Sequence, residues 1–127
     1  MKLLLDTHAF LWFVTGDRRL SRRARRAVEA GDSELLISTA SVWEVAIKTS
    51  LGRLTLPTSV HEYFDDKVAT GFIILPVEWA HAARVAELPF HHRDPFDRLI
   101  IAQALVERMP IVSGDPEFKM YGARIVW

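Results

Sequence analysis

Five short apolar runs punctuate the chain, and longer stretches with helical periodicity separate them. The runs are Met1 to Leu5, Leu35 to Ser38, Phe72 to Leu75, Ile111 to Ser113 and Ala123 to Val126. All are too short for buried helices and stand next to turn residues, so they predict strands. Thr7 to Val14 reads as the first helix, followed by a turn at Gly16-Asp17. Leu20, Ala24, Ala27 and Val28 then fall at helical spacing, with Ser21 as cap and Gly31 as stop. A further helix is predicted from about Ala40 to Ser50, capped by Ser38, Thr39 or Ser41 and closed at Gly52. Pro57-Thr58-Ser59 opens the next, through Val60, Tyr63, Phe64 and Val68 to Gly71.

In the second half, Glu78 to Leu88 is predicted helical and Pro89 to Arg93 is loop. Asp94-Pro95 introduces the longest helix, Phe96 to Arg108, because Asp suits the cap and Pro the first turn. Pro110 ends it, and Gly114-Asp115-Pro116 is a turn. Strands alternate with helices throughout, which predicts an α/β fold with a parallel sheet covered on both faces. The length of 127 residues suits a single domain spanning 1–127.

Composition narrows the chemistry. With no cysteine, disulfides, thiol catalysis and Cys-based zinc sites are excluded. Nothing resembles a secretory signal and no window approaches a membrane span, so a cytoplasmic location is expected. Sixteen cations balance 16 anions, so the chain is not globally basic. Charge is nevertheless clustered: Arg18, Arg19, Arg22, Arg23, Arg25 and Arg26 crowd one segment. They read as a solvated helix face or as contacts for a polyanion or an acidic partner.

Four acids stand out by position. Asp6 ends the first strand, where open α/β sheets bind ligands. Glu44 lies early in the helix after the second strand among apolar neighbours, and Lys48 could pair with it at (i, i+4). Asp97 shares its helix face with Ile100, Ile101 and Ala104, so a carboxylate falls on a buried stripe. Asp115 follows the fourth strand, with Glu117 close enough to take its place. Asp94 reads equally as a helix cap or as a supporting ligand. Acids converging from separate strand ends repel, and a divalent cation resolves the conflict. Oxygen donors, with no histidine at ligand spacing, favour Mg²⁺ or Mn²⁺ over zinc. His8, close to Asp6, could touch the site but reads rather as a packed or exposed side chain, and His91-His92, in the loop before Asp94, reads as solvent-exposed. Trp12, Trp43, Trp79 and Trp127 read as core or dimer contacts.

Leu3-Leu4-Leu5-Asp6-Thr7-His8, Ser41 to Lys48, Asp94 to Ala104 and Val112-Ser113-Gly114-Asp115, in this order, resemble the PIN-domain nucleases, most closely the VapC-type toxins of bacterial toxin–antitoxin pairs. The resemblance covers the whole chain and implies a three-layer α/β/α sandwich around a parallel sheet. It implies a Mg²⁺- or Mn²⁺-dependent endoribonuclease, inhibited by a small antitoxin and usually homodimeric. By it, Asp6 and Asp97 are the principal metal ligands, and Glu44 and Asp115 complete the catalytic cluster. Thr7 and Ser113 support them, with Glu117 an alternative to Asp115. The arginines Arg22, Arg23, Arg25 and Arg26 are candidates for RNA or antitoxin contact. A non-catalytic binding module with the same fold is the alternative. A phosphoacceptor receiver domain lacks its acidic pair here, and His8 occupies the place of a haloacid-dehalogenase phosphatase's second aspartate.

Overall fold

Leu3, Leu4 and Leu5 all lack exposed surface, as a strand covered on both faces requires. Burying each contributes about 1.5–3 kcal/mol. In the computed structural model, which describes residues 1–127, they form the central strand β1 (Lys2–Leu5) of a fully parallel sheet. β2 (Glu34–Ser38) pairs with one edge of β1, and β4 (Ile111–Val112) with the other. β3 (Ile73–Leu75) and β5 (Ile125–Val126) complete the order β3-β2-β1-β4-β5. The chain builds outward from β1 to β3, then returns to the other side. The order therefore reverses between β1 and β4, and a crevice opens beyond their carboxyl ends.

Side chains alternate between the two faces of the sheet. Leu3, Leu5, Ile37 and Val112 pack beneath α1 (Thr7–Thr15), α2 (Arg22–Glu29) and α4 (Val60–Ala69), which contribute Phe10, Val28 and Phe64. Leu4, Leu36 and Ile111 face α6 (Pro95–Glu107), which contributes Ile100, Ile101 and Ala104. α3 (Thr39–Ser50) gives Ala40 to the second cluster and Val45 to the first. α5 (Trp79–Val85) packs on α6. The layers form the expected three-layer sandwich.

The differences from the predicted elements lie at their ends. Phe72 precedes β3 and packs edge-on against Phe10, with ring centroids 5.4 Å apart. The helix predicted to Leu88 stops at Val85. The buried Arg98 guanidinium donates to the carbonyls of Val85, Leu88 and Pro89, taking over the bonding of that helix end. The turn at Gly114-Asp115-Pro116 continues into a 3-10 helix, Pro116–Tyr121, and β5 is shorter than the predicted last strand. Two tryptophans predicted as core or dimer contacts stand outside the core: Trp43 is 60% exposed and Trp79 84%. Trp12 and Trp127 are half-buried and pack on one another at 6.0 Å.

Candidate functional site

The backbone leaves β1 and turns at once into α1, and Asp6 is the hinge of that turn. Its Oδ1 accepts the Ala9 N–H at 2.7 Å, so the carboxylate caps the helix while remaining buried. Ser38 does the same after β2, accepting from the Ala40 N–H at 2.9 Å. α3 thereby starts at the sheet's end and turns Ser41 and Glu44 toward α1. The buried Thr7 hydroxyl donates to Glu44 Oε1 at 2.7 Å and lies 2.9 Å from Ser41 Oγ. Glu44 Oε2 also takes Lys48 Nζ at 2.9 Å, so the (i, i+4) pair and the buried hydrogen bond coexist.

Asp94 Oδ1 accepts the N–H groups of Phe96 and Asp97, at 2.9 and 3.1 Å. This makes Asp94 the cap of α6 and sets Asp97 in its first turn. Beyond β4, the buried Ser113 hydroxyl accepts the Asp115 N–H at 3.1 Å. Asp115 caps the 3-10 helix by accepting from the Glu117 N–H at 2.9 Å, and Glu117 is exposed. Between them, Gly114 lies under the Trp127 indole, where an added Cβ would stand 2.5 Å from a ring carbon. Only glycine fits there.

Asp6, Asp97 and Asp115 line one cleft of about 190 Å³, with His8, Trp12 and Gly114 around it. Burial, then the negative charge of Asp94, Asp6, Glu44 and Asp115, pushes the Asp97 carboxyl up to about 8. Burial also raises Asp6, against the lowering pull of the Ser113 hydroxyl and the Ala9 N–H. Acids that obstruct one another's ionisation in a shared cleft fit a divalent cation, whose charge reverses that penalty. Asp6 is buried and Asp97 half-buried, and both carboxylates line the cleft. Of the sequence candidates, Asp6, Asp97 and Asp115 meet in the cleft, and Glu44 and Asp94 act on Asp97 through their charge. Thr7 and Ser113 bond to members of this set.

None of Arg22, Arg23, Arg25 and Arg26 lines that cleft, whereas Arg19 lies 4.9 Å from the ring of Trp12, which does. Arg22, Arg23 and Arg26 are exposed on α2 without ion-pair partners, while Arg25 pairs with Glu29 at 3.7 Å and covers the Phe13 ring.

The His91-His92 loop departs from the solvent-exposed reading of its sequence. His91 is exposed, but the His92 side chain is only 8% exposed. Its Nε2 lies 3.5 Å from Asp97 Oδ2 and 3.9 Å from Asp115 Oδ2. The cause is distant in sequence: the Tyr121 hydroxyl accepts both the His91 and His92 N–H groups, at 3.2 and 2.9 Å. Sequence reasoning also passed over His81, a buried residue that receives the Glu78 N–H on Nδ1 at 2.9 Å and meets Glu107 through Nε2 at 2.8 Å. Its place three residues after the helix-capping Glu78 was the available signal.

The family model for the PIN domain matches residues 3–123, which include all of these acids. The chain belongs to the PIN domain family. Solved structures share the fold of this PIN domain at low identity. VapBC2 from Rickettsia felis, bound to a promoter DNA fragment, aligns at TM-score 0.73 and 15% identity, covering 98% of this chain and 97% of that one. DNA-bound VapBC from Salmonella typhimurium gives 0.72 and 16%, covering 98% and 96%. A toxin-antitoxin complex from Klebsiella pneumoniae gives 0.58 and 21%, covering 91% and 93%. No curated protein sequence matches this PIN domain. No helix in it is long and apolar enough to cross a membrane.

Proposed function

We propose that this PIN domain is a Mg²⁺- or Mn²⁺-dependent endoribonuclease and the toxin of a type II toxin–antitoxin pair. The observation that carries the reading is Asp97: a largely buried carboxylate on an apolar helix, made hard to ionise by four neighbouring acids at the crevice between β1 and β4. Its one partner in ion-pair range is the His92 imidazole, at 3.5 Å, which does not offset four neighbouring acids, whereas a divalent cation does. Family membership and the fold shared with VapBC complexes support the toxin assignment.

In this reading Asp6 and Asp97 hold the cation, and Glu44 and Asp115 add negative charge around it. A divalent ion there supplies charge for the phosphodiester oxygens and makes water more acidic. Thr7 and Ser113 fix the rotamers of Glu44 and Asp6. Asp115, which lines the cleft, is placed to take the proton of the attacking water as its oxygen bonds to phosphorus, while the ribose oxygen leaves in line and takes a proton from solvent. Arg22, Arg23, Arg25 and Arg26 offer a basic face for RNA phosphates or for an acidic antitoxin segment, the former with salt-dependent affinity. Exposed Trp43 and Trp79 suit a homodimer contact. The cytoplasm, where RNA and antitoxin are found, is the expected location.

Asp97→Asn removes the charge at constant size. It is expected to cut Mg²⁺-dependent cleavage of structured RNA by more than the ~10–100-fold lost with an outer-shell partner. Intact cleavage in that variant, or in Asp6→Asn, overturns the assignment and leaves a binding module.

A further inference from the structure

His92 is unlike every other side chain around the acids. Neither ring nitrogen makes a hydrogen bond, although both are buried. An imidazole cannot leave both nitrogens uncommitted cheaply, since each buried and unbonded polar group costs about 1–3 kcal/mol. The loop that carries it is firmly placed. Tyr121 binds its backbone, and the Arg98 guanidinium ties down Pro89 and lies 4.3 Å from the Phe90 ring. The His92 ring packs edge-on between Phe118 and Tyr121, at 5.8 and 5.9 Å. These contacts hold the imidazole against Asp97 and Asp115 at distances too long for hydrogen bonds. His92, Asp115 and Glu117 each present one donor atom, all within 4.8 Å of one another. Ligands on one ion with bonds near 2.1 Å are separated by about 3 Å when adjacent and about 4.2 Å when opposite. Small side-chain movements close that gap.

We propose that His92, Asp115 and Glu117 form a second cation site beside the Asp6–Asp97 centre, selective for Mn²⁺ and other imidazole-binding transition ions over Mg²⁺. The selectivity follows from the donors. A neutral ring nitrogen is a good ligand for first-row transition ions and a poor one for Mg²⁺, which prefers oxygen and its own water. Asp115 has a carboxylate oxygen to offer each site. An ion at His92 would therefore neighbour the first, and a transition metal would load a site that Mg²⁺ leaves empty. The inference shares Asp115 with the proposed nuclease centre but rests on His92, which that centre does not use.

The test is metal binding by the full chain after chelator treatment. Mn²⁺ titration followed by electron paramagnetic resonance is expected to show two bound ions, one carrying nitrogen coupling from an imidazole in pulsed spectra. Excess Mg²⁺ should displace only the ion without that coupling. His92→Gln should abolish the coupling and one equivalent of Mn²⁺. Glu117→Gln, a change at an exposed position, should weaken the same ion by about tenfold or more. Asp97→Asn should remove the other ion and leave the nitrogen-coupled one. Absence of nitrogen coupling, or Mn²⁺ binding unchanged in His92→Gln, overturns the second site. Loss of the inference alone leaves one Mg²⁺-displaceable ion and intact cleavage. Failure of the nuclease reading removes that ion as well.

Discussion

His81 sits in the seam between α5 and α6 with both ring nitrogens engaged, whereas His92, whose ring is also enclosed beside the acids, has neither engaged in a hydrogen bond. His81 follows the usual rule that buried polar groups find partners. The carboxyl end of the sheet breaks it twice, with an uncommitted imidazole and with carboxylates that hinder one another's ionisation. Local conflict maintained by a well-packed frame marks the part of a protein that is built for a ligand rather than for stability.

The contrast can be broken by truncating each ring. His81→Ala should cost about 2–4 kcal/mol in denaturant unfolding, because it strands the Glu78 N–H and leaves a hole in the seam. His92→Ala should cost about 1 kcal/mol or less without metal, since it forfeits ring packing but no hydrogen bond. Equal losses at the two positions would erase the distinction.

A pH-dependent effect sharpens it. The folded Asp97 carboxyl titrates near 8 and the unfolded one near its ordinary value of 3.8, so between them the folded chain holds the extra proton. Stability contributed by that proton is lost as pH rises through the window, and Asp6 acts in the same direction. Melting temperature in chelator should therefore fall from about pH 5 to about pH 8. Added Mg²⁺ should restore most at the alkaline end, and Asp97→Asn should flatten the chelator profile. A profile that rises over this range would contradict the assigned shift.

The fold was legible because it is written in local patterns. The run before Asp6, the Asp94-Pro95 cap and the periodicity of Ile100, Ile101 and Ala104 each state their element directly. The acids were legible for a related reason, since a strand end or a buried stripe tells where a carboxylate goes. His92 was not legible. Its placement depends on Tyr121, 29 residues away, whose hydroxyl pulls the loop inward. Loop side chains carry no periodicity to reveal such a tether. Likewise Trp79 falls among apolar neighbours in sequence yet projects from α5 into solvent, because that short helix commits His81 to the interior. The arginine segment lay between: its helix was predictable, but which guanidinium would pair with Glu29 depended on the helix's rotation against Phe13.

Anomalous diffraction from a Mn²⁺-soaked crystal tests most directly the proposal that Asp6 and Asp97 together hold a divalent cation. A peak is expected between these two carboxylates, in the cleft that Asp115 also lines. Manganese bound elsewhere on the surface, with none between Asp6 and Asp97, would contradict it.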